Sequence, residues 1–234
     1  MLDILGKPMI QWVLDALSGA QQVERVIVVG LPEQTPLRYA RDLTLIENQG
    51  SMIGNFRAGV RELQKSTPEV RQVLAVSSDI PAIRPEMVDW MVARVLESDV
   101  DVYYNVIRRE VMEARFPGSH RSYVRLKDMQ VCGGDFNALR AGAVLNEKAV
   151  YNRLIEARKS PLKQASILGL DLLVSLLAGR LPLAEAEKKA TGRMGITGKV
   201  LVCPYPEMGM DVDKPHQLEI IREYLARPAA QRAV

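Results

Sequence analysis

The sequence predicts an α/β fold with a doubly wound, mainly parallel sheet between two layers of helices, as one domain over residues 1–227 with a tail at 228–234. Two observations predict this class. Strand and helix patterns alternate along the first hundred residues, as they do where helices connect parallel strands. The strand patterns are also uninterrupted apolar runs, such as "VIVV" at residues 26–29, which indicates a sheet covered on both faces.

The first half of the chain supplies most of this pattern. Apolar residues at helical spacing predict a helix that begins at Met9 and stops near Gly19. Pro85 opens another helix, because proline is favoured at the first helical position. The patterns also predict strands at residues 25–30, 43–48 and 73–79 and a helix at residues 53–65.

The second half is less regular. Its β-rich composition between residues 100 and 145 predicts a small antiparallel excursion, in which "KDMQVCGGD" forms a turn. Helices are expected at residues 147–158 and after Ser160, where serine caps the helix and Pro161 takes the first turn. "KVLVCP" predicts a late strand, and a last helix begins near Pro215, before a frayed tail.

The start of the pattern departs from a regular doubly wound sheet. Each helix of such a sheet follows a strand, yet here the first helix begins at Met9. We therefore expect either a strand upstream of Met1 or a stub of strand formed by "MLDIL".

Composition excludes several classes of protein. A net charge of +3 over 234 residues is too small and too dispersed to predict nucleic-acid binding. No apolar run approaches the roughly 20 residues of a membrane helix, and the start lacks a signal-peptide pattern, so we expect a cytoplasmic protein. Cys132 and Cys203 are far apart with no CxxC spacing, which predicts buried thiols rather than a disulfide framework or a zinc site.

Carboxylates follow two of the predicted strands. Asp79 ends "VLAVSSD", while Asp211 and Asp213 follow "KVLVCP", and ligands of open α/β sheets bind at the carboxyl ends of strands. Each position has a structural alternative, since Asp79 suits a turn and Asp213 suits a helix N-cap. Mg²⁺ is usually held by one or two carboxylates plus substrate phosphates. Two aspartates from separate strand ends would therefore suit a magnesium site.

Four landmarks resemble, in their order, those of the MobA-like nucleotidyltransferases: Lys7 in "LGKPMIQWVLDAL", Asp79 in "VSSDIPAI", the glycines of "GGDFNAL" and Asp213 in "GMDVDKPHQLE". The resemblance implies a fold of the glycosyltransferase-A, or nucleotide-diphospho-sugar transferase, type. It implies that Asp79 and Asp213 bind the metal, with Asp211 beside them, and that Lys7 contacts phosphate. The implied reaction transfers NMP from an NTP to a phosphorylated or otherwise nucleophilic small-molecule acceptor and releases pyrophosphate.

Further residues are candidates for contacts to the two substrates, of which Gly54 and Asn55 lie in a segment that resembles the family's. Residues that would approach the nucleotide, besides Lys7 and Asp79, are Gly54, Asn55 and Ser78. Residues that would approach the acceptor are Gly133, Gly134, Asp135, Arg125 and Lys163, with Arg121 and Lys127 as further cations. Asn55 equally suits a helix start, and paired glycines equally suit a tight turn. The two histidines, His120 and His216, are expected to be exposed and without partners.

One feature of that family is missing. Its members open with a strand and a glycine-rich loop of the kind LAGGxGxRM, whose amides cradle phosphates, and this chain has only the "LGKP" of that region. We therefore expect a cavity in the sheet where the strand is absent. Two alternatives stay open: a glycosyltransferase that uses "DVD" at residues 211–213 as its DxD metal site, and a catalytically silent nucleotide-binding or interaction protein. The sequence identifies neither the base nor the acceptor.

Overall fold

The computed structural model describes residues 1–146 and 169–232. The helices predicted at residues 147–158 and after Ser160, and the candidate Lys163, lie outside these ranges. The strands, in chain order, are β1 Asp3–Ile4, β2 Lys7–Pro8, β3 Arg25–Val29, β4 Asp42–Ile46, β5 Gln72–Val76, β6 Val102–Arg108, β7 Val124–Arg125, β8 Gln130–Gly133, β9 Phe136–Arg140 and β10 Gly198–Cys203.

The helices complete a mixed α/β architecture. In chain order they are α1 Met9–Gly19, α2 Met52–Ser66, α3 Pro85–Leu96, α4 Arg109–Arg115, α5 Ala141–Leu145, α6 Leu170–Leu177, α7 Leu183–Met194, α8 Pro215–Ala226 and α9 Ala229–Arg232. A 3-10 helix, Pro206–Gly209, follows β10. None of the described helices is long and apolar enough to span a membrane.

β6 is the centre of the largest sheet. It pairs in parallel with β10 on one edge and antiparallel with β9 and β8 on the other. The hydrogen-bonded path through this six-stranded sheet runs β5, β9, β6, β8, β7, with β10 paired to β6 off the path, while β3 and β4 form a separate parallel pair. The predicted α/β class is confirmed. Antiparallel pairing of β7, β8 and β9 is the excursion expected between residues 100 and 145.

Several elements with a long apolar period lie where the sequence predicts them, while others, among them α4 and β8, were not predicted. Residues 109–115 form α4, which buries only Met112, so its apolar pattern is too short to indicate a helix. Residues 130–133 form β8 inside the expected turn. Because β8 exists through its pairing with β6 and β7, its local sequence does not reveal it.

The main core packs α1, α3 and α8 against the central sheet. Its fully buried side chains include Met87, Met91, Tyr103, Phe136 and Ile221. Cys132 and Cys203 are both buried and free, as the sequence predicts. Tyr103 lies in β6 and Phe136 in β9, so this core anchors both strands.

A cavity of about 330 Å³ lies between the β3–β4 sheet and the six-stranded sheet. It is bounded by apolar residues of α1 and β3, by Met1 and Leu2, and by Val76 and Ser78 at the end of β5. The first residues form the short antiparallel hairpin of β1 and β2 and do not join the larger sheet, so β3 and β5 are left unpaired with each other. A cavity was expected at a gap in the sheet, and this one lies between β3 and the end of β5.

A buried ion network ties the 3-10 helix to the carboxyl-terminal residues. The Glu207 side chain is 1% exposed and accepts hydrogen bonds from the Tyr224 hydroxyl at 2.7 Å and from Arg84 Nη1 at 3.2 Å. Arg115 Nε lies 3.6 Å from the same carboxylate. Arg84 and Tyr224 also donate to the Arg232 carbonyl at 2.9 and 3.1 Å. The segment up to Arg232 is therefore docked here, whereas a frayed tail was expected over residues 228–234.

This network predicts a loss of stability at alkaline pH. Burial, followed by the charge of Glu207 and their hydrogen bond, raises the pKa of Tyr224, whereas an unfolded tyrosine has a pKa of about 10. Because the pKa of Tyr224 is higher in the folded protein than in the unfolded chain, the contribution of this tyrosine to stability is complete below pH ~10. That contribution is lost as the pH rises further. The unfolding free energy should fall above pH ~10 by up to about 1.4 kcal/mol per pH unit.

Urea denaturation at pH 9 and pH 11 measures this fall. Tyr224→Phe should be less stable than the wild type at pH 9, because it loses its hydrogen bonds, but should lose less stability between the two pH values. An equal fall in unfolding free energy between pH 9 and pH 11 in the wild type and in Tyr224→Phe would contradict the role of Tyr224 in this pH dependence.

Candidate active site

Three connections meet at the carboxyl end of β5. The Ser77 amide donates to the Asp135 carbonyl at 2.9 Å, and the Asp135 amide donates to the Met208 carbonyl at 2.9 Å. The Val212 amide donates to the Asp79 carbonyl at 3.0 Å. The segment after β5, the link from β8 to β9 and the segment that carries Asp213 are thus joined directly by backbone hydrogen bonds.

The carboxylates of these connections influence one another. Burial raises the pKa of Asp135; the Arg121 guanidinium lowers it, and the negative charges of Asp79 and Asp213 raise it again. Asp135 therefore lies within electrostatic reach of both predicted metal ligands. Asp79 Oδ1 is buried and has no hydrogen-bond partner in the described structure, while Asp213 is exposed. A turn-forming Asp79 would bond its own backbone through such an oxygen, and the N-cap of α8 is Lys214 rather than Asp213.

Arg121 connects two of the acidic segments. Its Nη1 forms an ion pair with Asp211, and its Nη2 lies 3.2 Å from Asp135 Oδ2 and 3.4 Å from the Gly133 carbonyl. Asp211 is 8% exposed, so its carboxylate is enclosed with this guanidinium. Asp213 is left as the open carboxylate of the "DVD" segment. Arg121, predicted as a contact to the acceptor, here positions the carboxylates.

The paired glycines allow close packing behind this site. A Cβ on Gly133 would collide with the hydroxyl of Tyr104, and one on Gly134 would lie 3.0 Å from the Cβ of Asn105. Gly133 ends β8, and Gly134 donates its amide to the Asn105 carbonyl at 2.8 Å. Both glycines thus permit close approach of the backbone to β6, whether or not an acceptor also contacts them.

Several of the other predicted substrate contacts have partners of their own, and Ser78 directly precedes Asp79. Lys7 Nζ lies 2.6 Å from Asp15 Oδ2 and 3.9 Å from the ring centroid of Trp12. Asn55 Oδ1 accepts a hydrogen bond from the Gln49 amide at 2.7 Å, and Gly54 donates its amide to the N-cap Ser51 at 3.1 Å. Ser78 is exposed and lines the cavity between the sheets. Arg125 is exposed on β7.

Sequence reasoning missed a pair of histidines. His120 and His216 are 96 positions apart, yet their rings lie 5.3 Å apart between centroids at an interplanar angle of 71°. His120 is exposed and His216 is half-buried. No local pattern could reveal this contact, because packing of the segment after α4 against the start of α8 creates it.

Asp135 and Asp211, which both pair with Arg121, should change the unfolding free energy in opposite directions when each is mutated in the absence of metal. The raised pKa of Asp135 means that ionising it costs stability above its unfolded pKa, so at pH 7 in EDTA Asp135→Asn should raise the unfolding free energy. The gain should be a few tenths of a kcal/mol to about 1, since Asp135 is partly exposed and loses its Arg121 contact. Asp211→Asn should cost about 1–3 kcal/mol, because it breaks an enclosed ion pair. Urea denaturation measures the unfolding free energy of both variants. An equal loss of unfolding free energy in Asp135→Asn and Asp211→Asn would contradict an excess of negative charge around Asp135.

The fold and site define an α/β protein with acidic groups gathered at the carboxyl end of a sheet. The sequence matches the MobA-like NTP transferase domain over residues 1–165. A hypothetical transferase from Thermus thermophilus shares 32% identity with a TM-score of 0.80, over 92% of this chain and 88% of its own. The chain belongs to the MobA-like NTP transferase domain family and is a nucleotidyltransferase.

More distant structures share the fold. CMP:2-keto-3-deoxy-manno-octonic acid synthetase in complex with CTP has 18% identity and a TM-score of 0.60, over 96% of this chain and 90% of its own. A 4-diphosphocytidyl-2C-methyl-D-erythritol synthase from Anaerococcus prevotii has 11% identity and a TM-score of 0.58, over 97% and 92%. No curated protein matches.

Proposed function

We propose that this protein is a cytoplasmic, Mg²⁺-dependent enzyme that transfers NMP from an NTP to a small-molecule acceptor and releases pyrophosphate. The observation that carries the proposal is the junction of the Asp79 and Asp213 segments through the Val212 amide, 3.0 Å from the Asp79 carbonyl. It brings carboxylates from two distant strand ends to one edge of the sheet, where ligands of α/β sheets bind.

The residues present fit a magnesium ion. Mg²⁺ prefers oxygen ligands and usually keeps waters and substrate phosphates beside one or two carboxylates. Asp79 offers a buried oxygen without a hydrogen-bond partner, and Asp213 offers an exposed carboxylate. No group of three His, Cys, Asp or Glu residues within 1–146 and 169–232 could hold a metal. The proposed site would therefore have two protein ligands, completed by phosphate oxygens and water.

The reaction needs no protein nucleophile. The nucleophilic oxygen of the acceptor forms a bond to the α-phosphorus of the NTP, the bond from that phosphorus to the bridging oxygen breaks, and pyrophosphate leaves. Catalysis of such a transfer is mainly positioning and electrostatic stabilisation. Bound Mg²⁺ would supply positive charge for the phosphate oxygens. Asp79 and Asp213 would hold that charge in place, and Arg121 would keep Asp135 and Asp211 in position.

The structure weighs against the glycosyltransferase alternative. A DxD site needs both aspartates of the motif free to face the metal and the substrate, but Asp211 is enclosed in an ion pair with Arg121. One carboxylate of "DVD" therefore remains available. This distribution suits a two-aspartate site that draws its second ligand from the end of β5.

Thermal unfolding with each of the four NTPs tests the proposal. CTP is the first to try, because two neighbours of the same fold are named for CTP or cytidylyl chemistry. With Mg²⁺, an NTP at about 100 times its Kd should raise Tm by roughly 5–10 °C. EDTA should remove most of the shift. No shift with any NTP and Mg²⁺ would favour a catalytically silent protein.

A further inference from the structure

Residues 228–232 complete the shell of polar groups around the Glu207 carboxylate. The Arg232 carbonyl accepts hydrogen bonds from Arg84 Nη1 at 2.9 Å, from the Tyr224 hydroxyl at 3.1 Å and from Arg115 Nη1 at 3.4 Å. The same three side chains contact Glu207. One carboxylate cannot accept hydrogen bonds from every N–H and O–H group of two guanidiniums and a hydroxyl. The Arg232 carbonyl therefore serves as the second acceptor of this shell.

The helix that carries Glu207 depends on these contacts. It is a 3-10 helix of four buried residues, Pro206–Gly209, and so short a helix has little stability of its own. Glu207 supplies its charged contacts, to Arg84 and Arg115. The groups packed around the helix therefore set its position, and the shell that Arg232 completes is one of them.

The same helix supports the acidic cluster. Its Met208 carbonyl accepts a hydrogen bond from the Asp135 amide at 2.9 Å. Gly209 packs closely on the link from β8 to β9, because a Cβ added there would lie 3.2 Å from the Gly133 carbonyl oxygen. Asp213 follows the helix closely in the chain. The carboxylates of Asp135 and Asp213 are therefore both tied to the position of this helix.

We propose that residues 228–232 form a positioning strap for the active site. Docked on the shell around Glu207, the strap holds the 3-10 helix and, through it, the carboxylates of Asp135 and Asp213. The importance of this position for catalysis rests on the proposed function, but the mechanical link from the strap to Asp135 does not. Because coupling between two sites is reciprocal, a metal and nucleotide bound at the acidic cluster should in turn secure the strap.

Amide hydrogen exchange of the full chain, in EDTA and without NTP, tests the link. Gln231 is exposed, and its amide donates to the Pro228 carbonyl at 2.9 Å. Gln231→Pro removes that donor and disfavours the helical conformation of the preceding residue, so it should undock the strap without changing a buried side chain. The Asp135 amide should then exchange about tenfold faster, a factor within the usual range of coupling between sites.

Two comparisons separate this link from a general loss of stability. The Ala141 amide, which donates to the Arg71 carbonyl at 2.8 Å just after β9, should exchange at nearly its wild-type rate in Gln231→Pro. Ala229→Pro introduces the same residue at the first position of α9, where proline is favoured. Exchange of the Asp135 and Ala141 amides should be unchanged in that control.

Tyr224→Phe provides a second variant, which decides the question if Gln231→Pro does not fold. It removes a donor to both Glu207 and the Arg232 carbonyl, and it should accelerate exchange of the Asp135 amide selectively. The strap would be overturned if the Asp135 amide kept its wild-type exchange rate in the folded variants, or accelerated there only as much as the Ala141 amide.

Mn²⁺ binding in the presence of NTP, followed by electron paramagnetic resonance at a temperature where the proteins are folded, tests the positioning role. Gln231→Pro should weaken the single Mn²⁺ site about fivefold or more, whereas Ala229→Pro should leave its affinity unchanged. Equal Mn²⁺ affinity in both variants would overturn that role, because a purely structural strap changes stability without changing metal affinity. If the wild type bound no Mn²⁺, the proposed function would fail, and the exchange rates would still decide the link to Asp135.

Discussion

Asp79→Asn is expected to lower the rate of pyrophosphate release from NTP by at least a factor on the order of 10²–10³, the scale on which one lost electrostatic contact to a transition state reduces a rate. The asparagine keeps the shape of the side chain but loses the charge that would bind the cation. Asp79 Oδ1 is buried without a hydrogen-bond partner in the described structure, so its removal should cost little stability. Pyrophosphate release and Tm, measured on the same preparation, separate the two effects.

Asp42→Asn is the matched control for that experiment. Asp42 is exposed at the first position of β4, in the sheet that lies apart from the acidic cluster, and the same chemical change there should alter neither activity nor Tm. Turnover in Asp79→Asn equal to that of the control would remove Asp79 from the active site.

Glu207→Ala is expected to lower the unfolding free energy by about 3–5 kcal/mol, because removal of one partner from a buried ion pair leaves the other charge uncompensated. Arg84 and Arg115 would both lose this partner, and so would the Tyr224 hydroxyl. Glu207 lies in the 3-10 helix whose Met208 carbonyl accepts the Asp135 amide. The loss should therefore loosen the acidic cluster as well as the carboxyl-terminal residues.

Glu86→Ala separates burial from pairing. Glu86 also pairs with Arg84, but its side chain is 53% exposed, and exposed ion pairs contribute about 0–1 kcal/mol. Urea denaturation of both variants at pH 7 makes the comparison. A similar small loss in the two proteins would mean that the Glu207 network does not hold the 3-10 helix.

The sequence predicts those parts of the fold that depend on local periodicity. The helix at Met9, the strand at residues 25–30 and the helix at Pro85 are regular apolar patterns, and all three lie where they are expected. β8 was not predicted because it forms through its pairing with β6 and β7, and α4 was not predicted because a single buried methionine anchors it. Local periodicity carries no information about such long-range contacts.

The candidate site is likewise only partly predictable from local sequence patterns. The local pattern of an apolar strand followed by a carboxylate predicts a site at Asp79 and Asp213, and the fold joins the two segments through the Val212 amide and the Asp79 carbonyl. The pairing of Arg121 with Asp211, and of His120 with His216, arises only from tertiary packing. The sequence also favours Lys7 as a phosphate contact. In the folded chain its ammonium group lies on Asp15 and Trp12, so a role toward phosphate would require it to leave both.

The central claim is that Asp79 and Asp213 hold one divalent cation together, and Mn²⁺ binding followed by electron paramagnetic resonance tests it most directly. With NTP present, the wild type should bind one Mn²⁺, and Asp79→Asn and Asp213→Asn should each weaken that single site by a factor of about ten or more, while Asp42→Asn leaves it intact. Undiminished Mn²⁺ binding in both variants would contradict the account, because the two carboxylates would then have no shared ion to hold.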